Sequence, residues 1–171
     1  MRVIAFYSFF KIEELEDFQK KIFKFFENIQ TKGIILIGPE GLNGTIAVSQ
    51  ENEKIVRLFL ENLGTLRENI KVSDFDGKIV FNKFKIKIKK EIVTSDFDIT
   101  IDEIRDGQFI DSRDWEKFIS QDDILIMDIR NDYEFKIGHF KNSVNPNIKT
   151  FREFKSYIEK EKRNLKRKKI A

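Results

Sequence analysis

The sequence predicts an α+β fold in two parts. A ferredoxin-like β-α-β-β-α-β unit is expected over residues 1–93, and an incomplete α/β domain over 109–171, with a linker over 94–108 between them. Three observations carry this. Short β-branched and aromatic runs alternate with two amphipathic helical stripes in the first part. A polar, turn-rich stretch follows from Thr94 to Gly107. After it comes a continuous apolar run, Ile124-Leu-Ile-Met127, that ends in Asp128, the pattern of a parallel strand buried on both faces.

The elements follow in order. Val3 to Phe9 is rich in strand-forming residues. Ile12, Leu15, Phe18, Ile22, Phe25, Phe26 and Ile29 recur every three or four positions, with Lys20, Lys21, Lys24 and Glu27 on the other side, so a helix is expected there, stopped by Gly33. Ile34–Ile37 and Thr45–Val48 read as the second and third strands. Ser49 is placed to cap the next helix, with Glu51 and Glu53 in its first turn and Ile55, Val56, Phe59, Leu60 and Leu63 as its apolar side. Gly64 ends it. Lys71–Phe75 and Ile79–Val93 supply further strands, joined near the turn signal Asp76-Gly77. The two helices would cover one face of the sheet and leave the other partly solvated. In the second part, Asp111 caps a short helix holding Trp115 and Phe118. Thr150 and Glu153 form a capping box for a last helix with Phe151, Phe154, Tyr157 and Ile158 inward.

Composition excludes several kinds of chemistry. The 171 residues contain no cysteine, so they supply no disulfide, no thiolate zinc site and no thiol nucleophile. His139 is the one histidine, which excludes a histidine metal cluster. The lack of cysteine fits a reducing cytosol. The longest aliphatic run, Ile34–Ile37, is far shorter than the ~20 residues a membrane-spanning helix requires. The formal charge of +3 comes from the end of the chain. Lys162, Arg163, Lys166, Arg167, Lys168 and Lys169 stand there beside one acid, Glu161, and the rest is slightly acidic.

Several motifs bear on function, each with a plainer reading. Gly38-Pro-Glu-Gly41-Leu-Asn-Gly44-Thr45 joins two strands. Its glycines could let backbone N–H groups approach a phosphate, or could serve a tight loop needing positive φ at Gly41, Asn43 and Gly44. No Gly-Lys-Ser/Thr follows, so it is not a Walker loop. Lys83, Lys85, Lys87 and Lys89 alternate with Phe84, Ile86 and Ile88. Strand period puts the four ammonium groups on one face, where they could track an RNA backbone or guard an edge strand against aggregation. Asp128 and Arg130 follow the apolar strand, where α/β domains place ligands, and can pair to hold a loop. His139 has no matched nucleophile and reads as a structural hydrogen-bond partner.

Taken together, Glu40-Gly-Leu-Asn-Gly-Thr45, Gly107-Gln-Phe-Ile-Asp111, Asp128-Ile-Arg-Asn-Asp-Tyr-Glu-Phe-Lys-Ile-Gly-His-Phe140 and Asn145-Pro-Asn-Ile-Lys-Thr-Phe-Arg-Glu-Phe154 run in an order that resembles the rhodanese-containing tRNA uridine hydroxylases. The resemblance spans essentially the whole chain. It implies an acylphosphatase-like, ferredoxin-fold domain followed by a rhodanese domain, and a cytoplasmic enzyme that converts the wobble uridine of tRNA to 5-hydroxyuridine. Molecular oxygen is the implied co-substrate, with no metal or other cofactor identifiable. Asp128, Arg130 and His139 match as supports of the active-site region rather than as catalysts. The family's essential cysteine lies in a loop after the strand that here begins at Lys169-Ile-Ala171, and Asn142-Ser143 replaces small residues typical of that turn. The resemblance thus implies a truncated member, one ferredoxin-like domain plus about half of a rhodanese domain, inactive alone. The alternatives are a non-catalytic tRNA-binding module, or one half of a split enzyme whose second chain carries the rest of the rhodanese domain. An acylphosphatase-type hydrolase would want an arginine in its phosphate loop, and residues 38–45 contain none. Loss of a strand neighbour beside Ile124–Met127 would leave residues from about 105 onward less stable than residues 1–93.

Overall fold

Residues 2–9 are rich in β-branched and aromatic side chains and form a strand in which Ile4, Phe6 and Ser8 are buried and their neighbours are not, so one face meets the core, and that strand organises the sheet of the first unit. A computed structural model describes residues 1–77, 81–92, 97, 110–166 and 168–171. They fall into two units, residues 1–93 and 94–171.

In the first unit, β1 (Arg2–Phe9), β2 (Lys32–Gly38), β3 (Gly41–Val48), β4 (Ile70–Asp74) and β5 (Phe84–Ile88) form one sheet in the order β4-β1-β3-β2-β5. The first four strands pair antiparallel, and β5 joins parallel to β2. Helix α1 (Leu15–Phe26) carries the chain from β1 to β2, and α2 (Glu53–Asn62) from β3 to β4. With β3 between the parallel β1 and β2, this is the expected split β-α-β arrangement, extended by a fifth strand. Ile4, Phe6, Ile35, Ile37, Leu42 and Ile46 line the helix-covered face, all within 2% of complete burial. Ile22 and Phe26 of α1 and Val56 and Leu60 of α2 close over them, and Phe25 stacks on Phe59 with ring centroids 3.6 Å apart. The opposite face is open, as expected. Val3, Ala5 and Phe9 of β1, Ile34 and Leu36 of β2, and Asn43 and Thr45 of β3 are half-buried, and Tyr7 is exposed.

Several expectations need correction. The glycine segment is not a loop. Pro39 and Glu40 make a two-residue turn, and Gly41, Asn43 and Gly44 lie within β3. Gly41 alone of the three has positive φ, at +142°, and a Cβ there would overlap the Ser8 carbonyl oxygen of β1. Gly44 is small because the Phe6 ring sits over it, 2.7 Å from where a Cβ would be. Gly33 does not stop the first helix, which ends at Phe26; it belongs to β2 and pairs with Ile46. Asp76-Gly77 does not close a hairpin, because β4 and β5 lie at opposite edges of the sheet. The strand expected over Ile79–Val93 is five residues long, and residues 78–80 and 93 lie outside the described residues, as does the linker over 94–108 apart from Phe97. Ser49 makes no side-chain cap; a short 3-10 turn, Gln50–Asn52, precedes α2. Gly64 does end α2, with φ +100°: its N–H reaches the Glu61 carbonyl and the Thr65 N–H the Leu60 carbonyl, a Schellman closure.

In the second unit, α3 (Ser112–Ile119), β6 (Ile124–Leu125), α4 (Asp132–Ile137), α5 (Glu153–Leu165) and β7 (Lys169–Ile170) follow in order. Asp111 caps α3 as expected, accepting the Arg113 N–H at 2.9 Å. The Thr150 capping box does not form: Glu153 accepts the Lys149 N–H at 3.0 Å, and α5 starts at Glu153 itself. The expected loss of a neighbour beside Ile124–Met127 is also corrected. β7 pairs parallel to β6, the Met127 N–H donates to the Ala171 carbonyl, and Val144 bridges Met127. What sets this unit apart is the scarcity of core. Among its described residues the buried apolar side chains are Ile126, Met127 and Ile148, while Ile129, Tyr133, Ile137 and Phe140 are exposed.

Candidate functional site

The second unit's site begins where β6 runs out. Asp128 N–H donates to the Val144 carbonyl at 3.0 Å, which fixes the backbone and turns the carboxylate inward, its side chain 7% exposed. That carboxylate then organises the next two residues. It accepts from the Arg130 backbone N–H (3.1 Å), from Arg130 Nε (2.9 Å) and from Arg130 Nη2 (2.5 Å). The same Nη2 donates to the Gly138 carbonyl at 2.7 Å, tying the far end of α4 back to the strand. The Asp–Arg pair expected from the sequence is therefore formed, as a fork-to-carboxylate contact with a third anchor point. In α4, Glu134 accepts from both nitrogens of Asn131, and Asp132 accepts from Lys136 and from Asn145.

His139 follows Gly138. Its ring stacks on Phe135, with centroids 3.8 Å apart, and its Nδ1 lies 2.9 Å from the Phe135 carbonyl. A carbonyl can only accept, so Nδ1 carries the hydrogen and Nε2 remains an acceptor in the neutral ring. Asp128, Arg130 and His139 are thus brought together, and all three border a cavity of about 560 Å³ with Trp115, Phe140 and Ala171. Trp115 and the Gly138 carbonyl are not signalled by any sequence pattern. Trp115 reaches the site through tertiary packing on Phe140, at 5.2 Å, and its buried Nε1–H has no hydrogen-bond partner among the described residues.

Bonding to Arg130 holds the Asp128 carboxyl below the ordinary value of 3.8, against the opposing effect of burial. Asp132 is held low by Lys136 and then Asn145. A carboxylate depressed in the folded state contributes stability that is complete above the unfolded value and disappears as the pH falls through the folded one. Acidification below about pH 4 is therefore expected to loosen the segment from Asp128 to Asn145. Trp115, the chain's single tryptophan, reports it by fluorescence. Asp128→Asn should remove part of that acid transition; an unchanged transition would show that the pair contributes nothing.

The lysine candidates lie in the first unit. Lys85 and Lys87 belong to β5, a sheet edge, and are exposed, while Phe84 and Ile86 pack against the core. Lys83 and Lys89 flank the strand and are also exposed. Gly41, Asn43 and Gly44 are residues of β3, paired with β1 and β2, rather than of a loop.

The fold and site define a two-part α+β protein, an acylphosphatase-like sheet domain joined to a smaller unit with a charged pair at a strand end. The family model described as the UPF0176 acylphosphatase like domain matches residues 1–92. The chain is 38% identical to a tRNA uridine(34) hydroxylase of Rickettsia conorii, covering 99% of this chain and 68% of the relative. It is 37% identical to one of Acinetobacter baumannii, over 99% of this chain and 53% of the relative. A Rickettsia canadensis relative of the same name is 36% identical, again over 99% and 68%. The chain belongs to the tRNA uridine(34) hydroxylase family, and it spans between about half and about two thirds of the length of these relatives. Among the described residues, no helix is long and apolar enough to cross a membrane.

Proposed function

We propose that this chain acts in the oxygen-dependent 5-hydroxylation of the wobble uridine of tRNA, in the cytoplasm. The observation that carries the reading is identity of 36–38% along 99% of the chain to relatives that bear that name. In this reading residues 1–93 hold tRNA, with Lys83, Lys85, Lys87 and Lys89 as phosphate contacts. Residues 109–171 form the N-terminal part of a rhodanese domain. The parallel β6–β7 pair and the cavity at its C-terminal end support this, because that edge is where α/β sheets bind ligands.

The chemistry divides between this chain and other residues. Asp128 orients Arg130, Arg130 fixes the Gly138 carbonyl, and His139 is held by its stack on Phe135 and by Nδ1 at the Phe135 carbonyl. These are positioning roles. The 171 residues hold no cysteine, so the thiolate that the resemblance implies for the family's reaction comes from residues outside these 171. The absence of cysteine also favours a second reading, a tRNA-binding module without chemistry.

Both are tested in cells that lack any tRNA uridine hydroxylase. Expressing the chain with a cysteine-bearing rhodanese polypeptide is expected to produce 5-hydroxyuridine in bulk tRNA. Expressing either alone is expected to produce none. Product from neither combination, with tRNA recovered on the purified chain, would assign it to binding alone.

A further inference from the structure

We propose that the open face of the five-stranded sheet is a platform for single-stranded RNA, with bases stacked on Tyr7 and phosphates carried by lysines on either side. This rests on the reading of tRNA as the substrate and deepens it by naming the surface.

The strand registers determine which side chains share the face. Tyr7 pairs with Asn43, Asn43 with Leu36 and Leu36 with Lys87, while Lys71 pairs with Ala5, Ala5 with Thr45, Thr45 with Ile34 and Ile34 with Lys85. Residues paired across neighbouring strands point to the same side, so these two rows form one surface, the one the helices leave uncovered. Tyr7 stands 42% exposed on it. Phe9, two residues on, meets the Tyr7 ring edge-on at 6.3 Å and steadies it. An exposed aromatic ring on the open face of a β-α-β-β-α-β sheet offers a surface on which an unpaired base can stack.

Charge selects the occupant. Lys71 lies on one edge strand and Lys85 and Lys87 on the other, across four strand spacings, roughly 19 Å. Lys32 adds a partly exposed cation at the start of β2. Among the residues of β1–β5, the one carboxylate is Asp74. By register it belongs to the helix-covered side, where Arg2 binds it at 2.6 Å. A face whose five strands present an exposed aromatic ring, lysines at both margins and no carboxylate suits a polyanion with flat bases better than a protein partner or a second copy of this equally basic face.

The test is fluorescence anisotropy of the full chain with labelled oligouridine, with duplex RNA of the same length and with labelled tRNA, across salt concentrations. Oligouridine is expected to bind more tightly than the duplex. Tyr7→Ala is expected to weaken oligouridine binding about tenfold and Tyr7→Phe less than about twofold. Lys85→Glu with Lys87→Glu should weaken it at least about tenfold and reduce the salt slope by about 1.4, for two phosphate contacts. Lys21→Glu with Lys24→Glu, on the solvent side of α1, should change it little. Circular dichroism verifies that each variant is folded. Unchanged affinity for tRNA in the Tyr7 and Lys85/Lys87 variants would overturn the platform while leaving the substrate reading intact. A parent chain that binds no tRNA at low salt would overturn that reading, and the platform with it. A Tyr7-dependent dimer with no effect on RNA affinity would assign the face to a second copy and overturn the proposal.

Discussion

Replacing Gly41 with alanine is expected to cost residues 1–93 about 3 kcal/mol or more, a large share of the roughly 5–15 kcal/mol that holds a domain folded. Two effects add. The backbone sits at φ +142°, a conformation L side chains rarely adopt, and the new Cβ would overlap the Ser8 carbonyl oxygen. That oxygen belongs to the backbone of β1, so relief means parting β1 from β3 where Phe9 pairs with Gly41. Gly44→Ala is the internal comparison. Its Cβ would lie 2.7 Å from the Phe6 ring and 2.9 Å from the Ile34 carbonyl oxygen, both farther than the Ser8 oxygen would be at Gly41, and Gly44 has no positive φ, so a smaller loss is expected. Urea melts read both. A Gly41→Ala loss below about 1 kcal/mol, or a loss no greater than that of Gly44→Ala, would contradict the packing described here.

The second large effect belongs to Asp128. Asp128→Ala removes three hydrogen bonds to Arg130 at once and frees the guanidinium that fixes Gly138. Amide exchange between Arg130 and Asn145 is expected to quicken about ten- to hundredfold, since charge-assisted bonds of this kind are worth about 1.5–3 kcal/mol. The effect should be confined to the second unit, whose described core is Ile126, Met127 and Ile148. In the parent chain the same experiment should find residues 110–171 less protected than the strands of residues 1–93. Equal protection in both units would refute that expectation.

The sequence made the central sheet legible because period-two and period-3.6 patterns are local and strong. Ile22, Val56 and Leu60 are core residues that helical periodicity alone selects. Where the reading failed, a nonlocal partner decided. Asp76-Gly77 carries a good turn signal, but β5 pairs parallel with β2 at the opposite edge of the sheet from β4, a partner distant in sequence. Gly44 looks like a loop glycine until Phe6 is placed opposite it. Thr150 and Glu153 have the spacing of a capping box, yet the Lys149 N–H takes the carboxylate. At the site, Asp128 and Arg130 were legible because an acid at the end of an apolar strand and an arginine two residues later can meet without help from elsewhere. Trp115 was not, because its place beside Phe140 depends on how α3 packs. Tyr7 was hidden in a run of strand formers, and only the register shows that it faces away from the core.

The most direct test follows the oxygen atom. The purified chain is incubated with tRNA under ¹⁸O₂, with and without a cysteine-bearing rhodanese polypeptide, and the nucleosides are weighed by mass spectrometry. The expected result is ¹⁸O-labelled 5-hydroxyuridine at position 34 when both polypeptides are present and none with the 171-residue chain alone. Labelled product from the chain by itself would contradict the division of the chemistry, and no product from the pair would contradict the proposed function.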